Sequence, residues 1–180
     1  MTLIEERAVF SLWCIVSSPL VLGFDVADDA VVEKYWPIVT NTDALGVSSA
    51  WAGEAGRLLK ISEPHDPGNV YNHIAFDGTS CEVHHQNDFP AWMVYSKAVD
   101  TSGSIAVLAI RLGHSNTTIS VSLQELVAAN AGPNSTTTFE GTNVWDAAAP
   151  VVRVTADAPW TPEIDYHDSA FIIFKPASSV

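Results

Sequence analysis

Cys81, Glu82, His84 and His85 lie close together, with His65, Asp66 and His73 upstream, and these are the residue types that bind zinc. A zinc site needs side chains that converge, usually spaced about two to five residues apart on one face. Cys81 and His84 meet that spacing, but no second pair of comparable quality follows. His84 and His85, if placed on a strand, point to opposite faces, so at most one could serve. The expectation is a solvated turn with one half-buried histidine, and neither metal nor cofactor is assigned.

Carboxylates offer a second chemistry. Glycoside cleavage with retention needs two carboxyl groups about 5–5.5 Å apart, and inversion needs a wider gap. Asp28 and Asp29 are better explained as negative charge at a helix N-terminus. No complete pair is expected here, so no catalytic residue is assigned. Trp51, Trp92, Trp145 and Trp160 could stack pyranose rings, but Trp92 sits in an alternating strand pattern that suits a core. Trp160, between Pro159 and Pro162, is the better ligand candidate. Ser17-Ser18 and Ser48-Ser49 lack the G-x-S-x-G context of a nucleophile elbow, and Trp51 to Gly56 follows no phosphate-loop pattern.

The elements that must position these residues change character along the chain. Thr2 and Glu5 have capping-box spacing, and Val9, Leu12, Trp13 and Val16 recur on one helical face. Pro19 stops that helix, and Leu20 to Phe24 is a continuous apolar run that suits a strand covered on both faces. Asp28 to Thr40 offers a second helix, with Pro37 disturbing its last turn, and Ala44 to Val47 a second short strand. From Gly53 onward the pattern turns to period two. Candidate strands are 57–61, 72–76, 91–97, 104–110, 117–123, 151–155 and 169–174. Their turn-punctuated spacing predicts an antiparallel β-sandwich. After residue 60 only Leu123 to Ala129 reads as a turn of helix.

Composition narrows the partners. Eight Lys+Arg against twenty-one Asp+Glu give a formal charge of −13, which disfavours nucleic acid because phosphate binding needs clustered cations. No apolar run reaches the ~18 residues of a membrane span. The start MTLIEERAVF carries acids where a signal peptide needs cations, so no export leader is expected there. The 47% apolar content is that of a chain with a real core. Two cysteines, Cys14 and Cys81, do not make a disulfide framework. Asn116-Thr117-Thr118 and Asn134-Ser135-Thr136 are N-glycosylation sequons.

The order of pieces resembles the C-terminal part of glycoside hydrolase family 27, the α-galactosidases or melibiases. The likeness is carried by Glu6 to Cys14, Ser18 to Asp25 and Ile38 to Val47. Trp51-Ala52-Gly53, Pro90 to Lys97, Val144-Trp145-Asp146 and His167 to Phe171 continue it in collinear order. The resemblance implies an α/β plus all-β chain: residues 1–52 as the last two βα units of a (β/α)8 barrel, and residues 53–180 as an antiparallel C-terminal β-sandwich. Asp25 would then lie at the C-terminal end of a barrel strand, where barrel enzymes place functional groups, while Asp43 would lie at the structural end. The family uses an aspartate nucleophile and an aspartate acid/base from earlier strands, and no residue here matches either motif. Ser48-Ser49 also stands where the family usually has Asn-Gln. The resemblance thus implies an α-galactoside or other carbohydrate as partner of the complete parent, secreted or lysosomal in type, with chemistry upstream of this chain. It implies no nucleic-acid or membrane partner. It also implies self-association through barrel edges left uncovered.

Overall fold

In the computed structural model, residues 1–63, 71–76, 81–86, 90–113, 118–129 and 137–177 are described, with 71–76 and 81–86 described as backbone only. The chain opens with helix α1 (Leu3–Ile15). Glu5 N donates to Thr2 Oγ1 at 3.3 Å and Thr2 N donates to Glu5 Oε2 at 2.7 Å, closing the expected capping box. The helix ends in a Schellman arrangement: Ser17 adopts φ 58°, its N–H reaches the Cys14 carbonyl, and Ser18 N–H reaches Trp13. The buried face carries Ala8, Phe10, Ser11, Cys14 and Ile15 rather than the expected Val9, Leu12, Trp13 and Val16. Phe10, Cys14 and Ile15 seat the helix in its core cluster, Leu12 and Val16 pack at the margin of that cluster, and Val9 and Trp13 fall on the outer flank. There Val9, Trp13 and Leu20 line an open apolar groove of about 330 Å³.

Two expected strands are absent. Leu20 to Phe24 is coil without ladder partners, and Val21 and Leu22 are 71% and 52% exposed. A parallel strand is held by neighbours on its edges, and the described residues supply none. Ala44 to Val47 lies inside helix α3 (Thr42–Ser49). Asn41 caps it by accepting from Ala44 N at 2.8 Å, and Ala44 and Val47 bury one side at i, i+3 spacing. A short apolar run is ambiguous between strand and helix, and the cap decides this one. Helix α2 (Asp29–Val39) starts on Asp28, which accepts from Ala30 N and Val31 N, and it continues through Pro37.

The strands that follow are β1 (Arg57–Ile61), β2 (Tyr71–Phe76), β3 (Cys81–Gln86), β4 (Trp92–Ala98) and β5 (Ile105–Arg111). After helix α4 (Leu123–Ala129) come β6 (Thr138–Asn143), β7 (Val152–Thr155) and β8 (Ser169–Pro176). Six form one antiparallel sheet in the order β1-β4-β5-β8-β6-β7, and β2 pairs with β3 as a separate two-stranded sheet. Strands β3 and β6 were not expected: a His-rich turn and a Thr-rich loop concealed them. The expected strand at 117–123 reduces, among described residues, to a single bridge of Val121 with Trp160, because Ser122 and Glu125 form a second capping box that starts α4.

Strand β5 explains the core. Ile105, Val107 and Ala109 face one apolar cluster with Val121, Leu126, Trp160 and Phe174. Ala106, Leu108 and Ile110 face the other, with Phe10, Cys14, Ile15, Ala44 and Val47. The period of two sends alternate residues to opposite covers, so a strand buried on both faces reads as a continuous apolar run. Gly56 marks a close approach of the chain to the end of α1: a Cβ there would sit 1.9 Å from the Ile15 carbonyl oxygen.

Candidate functional site

The carboxylates near the start of the chain serve local backbone. Asp25 Oδ1 accepts from Ala27 N at 2.9 Å, Asp28 caps α2, and Asp29 and Asp43 stand in the first turns of α2 and α3. Among the described residues no group of three or more His, Cys, Asp or Glu is arranged to hold a metal. Cys81, His84 and His85 fall on β3, whose side chains lie outside the described residues, as do His65, Asp66, Asn116 and Asn134. Cys14 is a free buried thiol.

The four tryptophans do not assemble into a platform. Trp160, expected to face a ligand, is 5% exposed and meets Phe174 edge-on at 5.6 Å, so it is a core residue. Its flanking prolines suggested a loop, but its backbone pairs with Val121 in both directions and drives the ring inward. Trp92 is in the same core, as expected. Trp145 packs against the opposite cluster, donating from Nε1 to Ser11 Oγ at 3.0 Å with the Arg7 guanidinium 5.9 Å from its ring centre. Trp51 is exposed.

Two polar constellations were not visible in the sequence. In the first, the Lys97 side chain of β4 is only 2% exposed and donates from Nζ to the Val47 and Ser48 carbonyls at the end of α3, the latter at 3.1 Å. Burial lowers its pKa, and the neighbouring Cys14 thiol opposes that shift. Burial likewise pushes Cys14 up to about 12, against the pull of Lys97.

The second gathers the turn before β8 against α1. Arg7 Nη2 donates to Asp168 Oδ1 at 3.2 Å, and His167 Nδ1 lies 2.8 Å from Glu5 Oε1. The Thr2 backbone N–H, then His167, hold the Glu5 carboxyl below its usual value. His167 occupies the left-handed region at φ 62° and stacks on Tyr166 with ring centres 3.7 Å apart. This turn borders a cleft of about 770 Å³ at the end of β5. Only co-variation of residues 162 positions apart could have signalled the Glu5–His167 pairing, and a single sequence carries none.

No family model matches the sequence, and no curated protein matches it. Solved structures do share the fold. An α-galactosidase of Saccharomyces cerevisiae with raffinose aligns at 15% identity with TM-score 0.69, over 98% of this chain and 44% of that one. The same organism's α-galactosidase MEL1 aligns at 16% identity with TM-score 0.70, over 98% and 44%. An Arthrobacter globiformis T6 isomalto-dextranase complexed with panose aligns at 16% identity with TM-score 0.57, over 99% and 25%. The chain therefore spans less than half of these structures, and its six-stranded antiparallel sheet matches the C-terminal domain of the α-galactosidases.

Proposed function

We propose that this chain is the C-terminal portion of an α-galactosidase-like, family 27 (melibiase-type) glycoside hydrolase. Residues 1–52 would close a (β/α)8 barrel, and residues 53–180 would form the accessory β-sandwich. The parent would hydrolyse terminal α-galactosides with retention, using two carboxylates held about 5–5.5 Å apart on elements outside these residues. This portion contributes scaffold: α1 and α3 seated on the sheet, with Lys97 tying the end of α3 to β4. The observation that carries the reading is a shared fold along 98% of the chain with an α-galactosidase, combined with the collinear sequence blocks. The exposed strap at Leu20 to Phe24 supports it further, since its apolar run suits a strand whose parallel neighbours lie elsewhere. Left uncovered, the strap and its groove favour association with a second copy.

A chromogenic α-galactoside assay tests this. The 180-residue chain alone should be inactive. A longer form carrying both aspartate motifs should turn the substrate over, with the anomeric configuration of the product retained. Hydrolysis by the 180-residue chain at a normal enzymatic rate would overturn the proposal. A second reading, a non-catalytic carbohydrate-binding β protein, is favoured by the cleft beside the Tyr166 turn.

A further inference from the structure

The first turn of α1 buries little apolar surface. Leu3 and Ile4 are each 47% exposed, and the buried residues of the helix begin only at Ala8. Polar contacts of reciprocal sign tie this turn to the segment before β8. Glu5 Oε1 lies 2.8 Å from His167 Nδ1, and Arg7 Nη2 donates to Asp168 Oδ1 at 3.2 Å.

A single carboxylate serves both ends of a relay. Glu5 Oε2 accepts from the Thr2 backbone N–H at 2.7 Å, closing the capping box, while Oε1 holds the imidazole. An ionised carboxylate accepts on both oxygens, whereas protonation turns one of them into a donor, so loss of the charge weakens both contacts together. The Glu5 and His167 side chains are 27% and 38% exposed, which shields the pair partly from water. At the far end His167 sits at φ 62°, a strained state for a residue with a side chain, which persists where the surroundings enforce it. Its N–H donates to the Arg111 carbonyl at 3.1 Å, and the Arg111 N–H donates to the Asp168 carbonyl at 3.0 Å. Between helix and sheet lies a hollow of about 220 Å³, lined by Ala8, Val9, Leu12, Ile110 and Leu112 under the Glu5–His167 pair. The charged neighbours are Glu6, Arg7 and the Met1 amine on the helix side, Asp165, Tyr166 and Asp168 on the turn, and Arg111 of β5.

We propose that this relay is an acid-released latch: protonation of Glu5 frees the start of α1 and the turn before β8 from each other while the sheet stays folded. The Thr2 backbone N–H, then His167, hold the Glu5 carboxyl below its ordinary 4.5. A folded value lowered in this way means that the tie is complete above 4.5 and is lost as pH falls through the lower folded value. Release opens the hollow and brings its apolar lining into water. The latch is a property of this chain and does not depend on the glycosidase reading.

Amide hydrogen exchange between about pH 6 and pH 3, corrected for intrinsic rates, tests it. The Glu6 N–H, bonded to the Thr2 carbonyl, reports on the helix start, the His167 N–H on the turn, and the amides of β5 on the sheet. Helix start and turn should lose about fivefold in protection with one shared midpoint, while β5 keeps its own. Glu5→Gln isolates the cause, because glutamine still closes a capping box but neither titrates nor carries charge. This variant should show no acid step at either segment, and its His167 amide should already be less protected at the upper pH. His167→Asn, which tolerates the left-handed backbone, should lower protection at the helix start in the same way. If that variant unfolds, the response of the turn amide to Glu5→Gln decides alone, since a residue that merely caps its own helix would leave the turn unmoved. Different midpoints for helix and turn, an acid step that survives Glu5→Gln, or loss that coincides with β5 would each overturn the latch.

Discussion

Lys97→Met is the most informative single perturbation. The methylene stem survives and the amine is lost. Helix ends leave their last carbonyls without intrahelical partners, and α3 has no basic residue in its own last turn. Lys97 supplies the missing donor from β4 to both Val47 and Ser48. A buried carbonyl stripped of its partner costs about 1–3 kcal/mol, as at Val47, and the part-buried Ser48 carbonyl costs somewhat less, so the two cost about 2–5. Relief from burying an amine offsets part of this, leaving a net loss of about 2–4 kcal/mol. For a chain of this size each kcal/mol moves Tm by about 2–4 °C, so the variant should melt roughly 4–16 °C lower. The pH dependence carries a second signature. Because the folded pKa of Lys97 lies below its ordinary 10.5, the folded state sheds that proton first, and stability rises with pH between the two values. Cys14 acts in the opposite sense: its folded pKa of about 12 exceeds the ordinary 9.0, so stability falls as pH climbs between them. Lys97→Met should remove the rising component and Cys14→Ala the falling one. Urea unfolding followed by circular dichroism at pH 7 and pH 10 reads both. Modification of Cys14 by a thiol reagent, in a Cys81→Ser background, should accelerate once α3 is loosened. A Lys97→Met variant within about 0.5 kcal/mol of the parent, with Cys14 equally protected, would refute the clamp.

Gly56→Ala should destabilise by about 1–3 kcal/mol, because its methyl group would collide with the Ile15 carbonyl; unchanged denaturant midpoints would contradict the close approach. Burial raises the Asp100 carboxyl, but bonds from Ser102 and Ser104 outweigh it and hold the pKa at about 2. Its stabilisation is therefore present above the ordinary 3.8 and lost as pH falls toward 2, so Asp100→Ala should flatten that part of an acid-unfolding curve. Val21→Asp with Leu22→Asp, on the exposed strap, should reduce self-association in sedimentation velocity; a parent that is already monomeric at high concentration would remove the basis for that expectation.

How much of this was legible depended on how local each determinant is. The capping boxes and the Asp28 cap are written within a few residues, so α1 and α2 were readable with their starts. The alternating or continuous apolar runs of β4, β5 and β8 were readable for the same reason. Leu20 to Phe24 misled because its apolar run records a demand for neighbours that the described residues do not meet. Ala44 to Val47 misled because four apolar residues suit either period, and Asn41, the cap that decides between them, lies outside the run. Trp160 looked solvent-facing from its prolines, yet pairing with Val121, a contact distant in sequence, turns it inward. Neither the Lys97 clamp nor the Glu5–His167 relay has a local signature. Both depend on which strand end meets which helix.

Strand β5 is a partition with two tenants. Leu108 and Ala109 are adjacent in sequence yet pack in separate cores. An enlarged side chain on one side can be accommodated only by moving the backbone toward the other, so harm should cross between neighbours that never touch. Shortening the chain from its N-terminus would have a related effect. It would strip one tenant and leave Leu108, Ile110 and Phe171 wet while the opposite packing stayed intact, giving a half-solvated sheet prone to sticking to its own kind.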